Sequence, residues 1–205
     1  DASHALGATY KKVPIGGDNR SSACIFSFHP VKMITTGEGG ALVLGCQEMF
    51  ERAKRVRSHG INYFGNNHNI KKNRPWYYEQ YELGYNYRMT EMQAAMGIVQ
   101  ISRLSSFLKK RNELSDLYKE KLKNLPLKLQ LVDGNSLCSY HLFTIKITDK
   151  NYDRDELFRF LKSHQVASQV HYIPVYRQPF YRSLGFGKNY CANVEEYFSS
   201  CLSIP

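Results

Sequence analysis

The spacing of apolar residues changes period several times along the chain, and each change marks an element. Residues 23–28 (ACIFSF) form a short apolar run of strand character, closed by His29-Pro30 because proline cannot donate into a ladder. A glycine-rich turn over 35–40 (TTGEGG) leads into a second apolar run, 41–44. Both runs read as central strands that need neighbours on each edge. Residues 10–22 are polar, with Gly16-Gly17 and Asp18-Asn19, and read as a hairpin or loop. Helical spacing follows over 47–58, stopped by His59-Gly60.

The stretch 62–79 is asparagine-rich, holds the only tryptophan, Trp76, and reads as a long loop. Thr90 is a good N-cap for a helix over 91–102. A strongly amphipathic helix over 105–125 turns Leu108, Leu114, Tyr118 and Leu122 toward a core and ends at Pro126. Beyond it, 140–147 reads as a strand and 153–163 as a helix with Leu157, Phe160 and Leu161 inward. Residues 169–174 read as a short strand entering a loop, and 192–201 as a last helix. These elements predict a first unit over 1–104, a linking helix over 105–126 and a smaller α+β unit over 127–205.

Composition narrows the class. Hydrophobic residues make 42% and charged residues 22% of 205, ordinary for a globular protein. No apolar run approaches a membrane span, so no membrane partner is expected. Five scattered cysteines without a CxxC pair read as reduced thiols of a cytoplasmic protein. Net charge is +10, but the lysines and arginines are spread along the chain, as on a solvated face. Spread charge argues against nucleic acid and is compatible with an anionic small substrate.

The candidate chemistry centres on Lys32, in the apolar frame of Val31, Met33 and Ile34 between the two strands. Burial there is expected to lower its pKa, as an amine that attacks a carbonyl requires. A snorkelling or paired lysine is the bland alternative.

Three segments carry a resemblance: FSFHPVKMITTGEGG around Lys32, GYNYRMT around Asn86, and the opening DASHALG. Together they resemble the DegT family of sugar aminotransferases, fold-type I α/β enzymes that use pyridoxal 5′-phosphate (PLP). The resemblance implies that Lys32 is the Schiff-base lysine and that Ser27 binds the PLP phosphate. It implies that Asp1 pairs with the pyridine nitrogen and His4 contacts the ring's phenolic oxygen. It also implies that Asn86 reaches the PLP phosphate of a partner subunit, giving a homodimer with a shared active site. Residues 1–104 would then be the C-terminal part of a large mixed-sheet domain. An upstream phosphate loop and stacking aromatic would precede Asp1, and the chain reads as truncated at both ends.

The segments PWYYEQ and VHYIPVY, with FYRSLGF, resemble one subgroup, the aminotransferases of pseudaminic acid biosynthesis. That implies L-glutamate as amino donor and a UDP-linked 4-keto-6-deoxy-N-acetyl hexose as acceptor. Gln169, Val170, His171, Tyr172 and Tyr181 are the candidate contacts to the UDP-sugar, with strand packing the alternative for His171. Arg88 serves either an interface or a substrate carboxylate. Competing readings are another nucleotide-sugar 3- or 4-aminotransferase, a related deoxygenating PLP enzyme whose lysine is replaced by histidine, and a non-catalytic basic binding module. No metal site is expected.

Overall fold

The computed structural model describes residues 1–18, 20–62, 74 and 76–205. The chain divides into two compact units, 1–106 and 107–205.

In the first unit, Thr9–Tyr10 (β1) and Val13–Pro14 (β2) pair as a tight hairpin. Its turn residues are Lys11 and Lys12, with φ of 49° and 65°. The left-handed turn matches the twist of the two strands, and it precedes the Gly16-Gly17 pair that the sequence suggested. Ala23–Ser27 (β3) runs antiparallel to Gly40–Leu44 (β4), with Phe26 opposite Ala41 and Ser27 opposite Gly40. Successive side chains of a strand alternate between faces. Cys24 and Phe26 therefore pack inward on Ala2, while Ile25 and its partner Leu42 face out, 54% and 48% exposed. Among the described residues β3 and β4 make a two-stranded sheet with one covered face.

Helix α1 (Gln47–Arg57) ends at His59 and Gly60, whose φ values are 64° and 72°. At Gly60 the chain also passes close to a neighbour: a Cβ would lie 1.7 Å from the Glu82 carbonyl oxygen. Only glycine tolerates both conditions. Arg52 and Arg55 reach the Glu82 carboxylate from the helix at 3.1 and 3.4 Å. Ile61–Asn62 (β5) pairs with Glu79–Gln80 (β6), and most of the expected loop between them lies outside the described residues. Helix α2 (Glu91–Ser102) starts with a complete capping box between Thr90 and Gln93.

Helix α3 (Leu104–Leu122) carries the chain into the second unit. Its inward stripe differs from the leucine pattern. Ser115 is buried, Tyr118 and Leu122 pack on the core, and Leu114 is 43% exposed. Leu127–Leu129 (β7), Ser136–Leu137 (β8) and Phe143–Ile147 (β9) follow, then helix α4 (Arg154–Ser163), capped by the Asp153 carboxylate. Phe160, expected inward, is 58% exposed, and Leu157 and Leu161 alone of that trio join the core. Short α5 (Pro179–Ser183) and then α6 (Ala192–Ser200) lead directly into Cys201–Ile204 (β10), where the sequence suggested only a helix end. β10 and β7 flank β9, both antiparallel to it. Tyr140, Phe143, Ile145 and Leu202 form the heart of this unit. No helix of the described residues is long and apolar enough to cross a membrane.

Candidate active site

The lysine turn is built from backbone hydrogen bonds and two threonines. After β3, the Phe28 N–H donates to the Gly39 carbonyl at 2.8 Å, holding the two ends of the turn together. The Phe28 carbonyl in turn accepts from the Thr36 N–H at 3.0 Å and from the Thr35 hydroxyl at 3.2 Å. The Thr36 hydroxyl donates to the Glu38 carbonyl at 2.7 Å, and the Gly37 N–H donates to the Thr35 hydroxyl at 2.9 Å. Met33, Ile34 and Thr36 are buried beneath this frame.

Lys32 sits above that floor, half-buried, its N–H donating to the His29 carbonyl at 2.9 Å. Among the described residues its ammonium enters no ion pair, so the amine is not spent on a structural contact. His29 and Glu38 face each other across the turn at 3.9 Å.

Helix α2 clamps the turn from one side. The Gln93 side chain, besides closing the capping box, donates to the Glu38 carbonyl at 3.0 Å. A Cβ on Gly97 would come within 3.0 Å of Thr36, and one on Gly39 within 2.4 Å of the Thr36 hydroxyl. The glycines therefore permit a close seat between turn and helix. Sequence reading found the Thr90 N-cap but neither the capping box nor this second use of Gln93, whose partner is a backbone carbonyl 55 positions away.

The other candidates of the first unit fall into two groups. The Ala2 N–H donates to the Ile25 carbonyl at 2.9 Å, laying the opening segment along β3 and placing Asp1 beside it. Asp1 is exposed and its carboxylate accepts from the Ser3 N–H at 2.8 Å; His4 is exposed close by. Ser27 ends β3, half-buried, its hydroxyl accepting from the His29 N–H at a long 3.4 Å. Asp1, Ser27 and Lys32 are thus gathered around one strand and the turn that follows it. Asn86 lies elsewhere. Its segment pairs with the end of α1, where Asn86 bridges Ser58, the Tyr85 N–H donates to Val56 and the Tyr87 N–H to Arg57. Asn86 and Arg88 are exposed, and the Tyr85 and Tyr87 rings stack at 4.6 Å.

The PWYYEQ stretch contributes an ordered carboxylate. The Tyr77 and Tyr81 hydroxyls both donate to Glu79, and these bonds hold its carboxyl below the usual carboxylate range.

In the second unit, residues 169–174 form no strand. Gln169 alone bridges Ser203, through bonds of 3.0 and 2.8 Å. Val170 is partly buried and packs against the core. His171 is half-buried with Nδ1 2.8 Å from the Ser203 hydroxyl, and the exposed Tyr172 stands edge-on to it at 4.6 Å. Tyr181 is exposed on α5, against Phe180. Among the described residues there is no cluster able to hold a metal ion.

The profile of the DegT/DnrJ/EryC1/StrS aminotransferase family matches residues 1–205. A UDP-4-amino-4,6-dideoxy-N-acetyl-beta-L-altrosamine transaminase of Campylobacter jejuni is 40% identical over 207 residues, covering all of this chain and 52% of the relative. Helicobacter pylori PseC, an aminotransferase involved in the biosynthesis of pseudoaminic acid, superposes on the whole chain and 53% of its own. Its TM-score is 0.87 at 31% identity. A Streptococcus pneumoniae protein solved in a PLP form gives a TM-score of 0.85 at 28% identity, over 51% of its length. The chain spans about half the length of the curated relatives it matches.

Proposed function

Because the chain belongs to the DegT/DnrJ/EryC1/StrS aminotransferase family, we propose that it carries the Schiff-base lysine of a PLP-dependent sugar aminotransferase. The reaction would move an amino group from L-glutamate to the 4-keto carbon of a UDP-linked 6-deoxy-N-acetyl hexose. The observation that carries this reading is the amine of Lys32, without an ion pair among the described residues and placed after β3 between Ser27 and the glycine turn. The similarity to the Campylobacter jejuni transaminase supports the choice of sugar.

The donor set fits the cofactor. Among the described residues, an amine without an ion pair suits an aldehyde, a hydroxyl with one long hydrogen bond suits a phosphate, and an exposed carboxylate suits a protonated ring nitrogen. Lys32 would hold PLP covalently through Nζ, Ser27 would donate to its phosphate, and Asp1 would keep its ring nitrogen protonated, with His4 alongside. When bound, PLP supplies the electron sink that makes a carbon–hydrogen bond beside nitrogen acidic. Lys32 Nζ would be the base that takes that proton and later returns it.

His171 and Tyr172, steadied by Ser203, with Gln169 and Tyr181, would contact the UDP-sugar. Asn86 stands on its own exposed segment, which favours a role toward a second copy and hence a homodimer with shared sites. A test uses the polypeptide that carries this sequence. With PLP added it is expected to absorb near about 410–430 nm, and borohydride followed by peptide mapping is expected to find the label on Lys32. A label on another lysine, or none, removes the assignment. Turnover of the 4-keto rather than a 3-keto UDP-sugar with glutamate would settle which carbon is aminated.

A further inference from the structure

The segment that carries the proposed UDP-sugar contacts is pinned at both ends to one continuous element, since α6 runs directly into β10. At the near end, Gln169 exchanges two backbone hydrogen bonds with Ser203 of β10, and His171 Nδ1 lies 2.8 Å from the Ser203 hydroxyl. At the far end, the buried Pro174 opens a single 3₁₀ turn, Val175–Arg177. Two side chains of that turn reach one carboxylate on α6. The Tyr176 hydroxyl donates to Glu195 Oε1 at 2.8 Å, and Arg177 Nε donates to the same oxygen at 3.0 Å. A terminal nitrogen of Arg177 pairs with Glu195 Oε2. The Arg177 guanidinium also lies over the ring of Phe198, three residues along the helix, at 5.4 Å. The Glu195 side chain is only 13% exposed, so water competes little for these bonds. A carboxylate gripped by a guanidinium fork is fixed in direction as well as distance.

We infer that Glu195 is a positioning residue for the UDP-sugar: it locks the Val175–Arg177 turn, and with it the contacts on either side. His171 and Tyr172 precede the turn, and α5 with Tyr181 follows it through Gln178. Glu195 acts through the turn and not on the ligand. Its two oxygens are engaged by Tyr176 and Arg177, and its charge would repel a diphosphate. Glu196, the next residue, has a different partner: it accepts from Lys146 of β9 at 2.6 Å. The inference rests on the aminotransferase reading and adds to it the residue that sets the shape of the sugar-nucleotide segment.

The test compares the PLP-loaded polypeptide that carries this sequence with Glu195→Ala, Glu195→Gln, Tyr176→Phe and Glu196→Gln. UDP-N-acetylglucosamine, a UDP-sugar without a keto group, is the calorimetric binding probe, and the 4-keto UDP-sugar is the substrate. Glu195→Ala is expected to weaken the probe, and to raise KM for the keto sugar, about tenfold or more, with kcat changed less than about threefold. Glu195→Gln keeps an acceptor for Tyr176 but loses the charged pair, and Tyr176→Phe does the reverse, so each should fall between parent and Glu195→Ala. Glu196→Gln should match the parent. The half-reaction with glutamate alone, followed as loss of absorbance near about 410–430 nm, should keep its parental rate in every variant, whereas a general structural defect would slow it too. Should Glu195→Ala fail to fold, Glu195→Gln and Tyr176→Phe decide. Parental probe affinity in those two, an equal loss in Glu196→Gln, or a slowed glutamate half-reaction would each overturn the positioning role and leave the Lys32 assignment standing. No glutamate half-reaction in the parent would remove the aminotransferase reading, and this inference with it.

Discussion

Lys32→Ala is expected to lower transamination at least about 10⁴-fold while leaving the fold intact. The size of the loss follows from what surrounds the residue. The turn offers no second amine: its neighbours are the exposed Val31 and the buried Met33 and Ile34. The Thr35 and Thr36 hydroxyls are committed to the Phe28 and Glu38 carbonyls. The fold survives because the side chain is half-exposed and makes no ion pair among the described residues, and because the His29–Lys32 backbone bond does not depend on it. Stability should therefore change by no more than about 0.5 kcal/mol. Activity and thermal melts, measured on the same preparation, check both halves of the statement. Retained turnover, or unfolding, would remove Lys32 from its role. Mixing Lys32→Ala with Asn86→Ala subunits should restore about a quarter of the parental activity, since only one of the two sites in a mixed dimer regains both residues. Strictly additive losses in the mixture would count against a shared site.

The second large effect is on stability. Leu202→Ala should destabilise the second unit by about 2–5 kcal/mol, the cost of emptying a buried leucine position. Leu202 is 1% exposed, lies opposite Ile145 on β9, and meets Tyr140 and Phe143 in the core. It packs on β9, which is paired on both edges by β10 and β7, so the surroundings cannot collapse far. Leu131→Ala is the control: Leu131 is 83% exposed and its loss should fall within about 0.5 kcal/mol. Urea titration of both variants, with an unchanged slope, reads the difference. A cost below about 1 kcal/mol at Leu202 would mean the core is looser than its packing indicates.

These two residues also show what could be read from sequence. The lysine turn was legible because local signals agree: an apolar run, a proline stop, then a glycine-rich return. The α2 start was legible for the same reason, since Thr90 is an N-cap residue immediately before Glu91. β10 was not. Residues 192–204 contain no glycine or proline to break a helix, and Cys201–Ile204 becomes a strand only because β9 presents an edge to it. The inward face of α3 was misjudged because counting leucines passes over Ser115, which the core accepts by virtue of its small size. The stretch 169–174 has strand-like residues, yet only Gln169 finds a partner carbonyl, at Ser203. Phe160 stands outside the core, beside Tyr152 and Leu125 on an apolar groove of the surface. In each of these cases a long-range partner decided the outcome against local pattern.

The seating of β10 carries a consequence for how the protein is made. β9 must wait for a neighbour that lies 55 positions further on, with Lys146 pairing Cys201. A ribosome adds about 5–20 residues per second, so several seconds separate the emergence of β9 from that of β10. During that interval the Tyr140, Phe143 and Ile145 cluster has no Leu202 to close over it. The second unit therefore cannot complete its core during translation until Ile204 has cleared the exit tunnel, whereas β3, β4 and the lysine turn are already fully synthesised. A nascent chain of this kind exposes an apolar strand edge for those seconds.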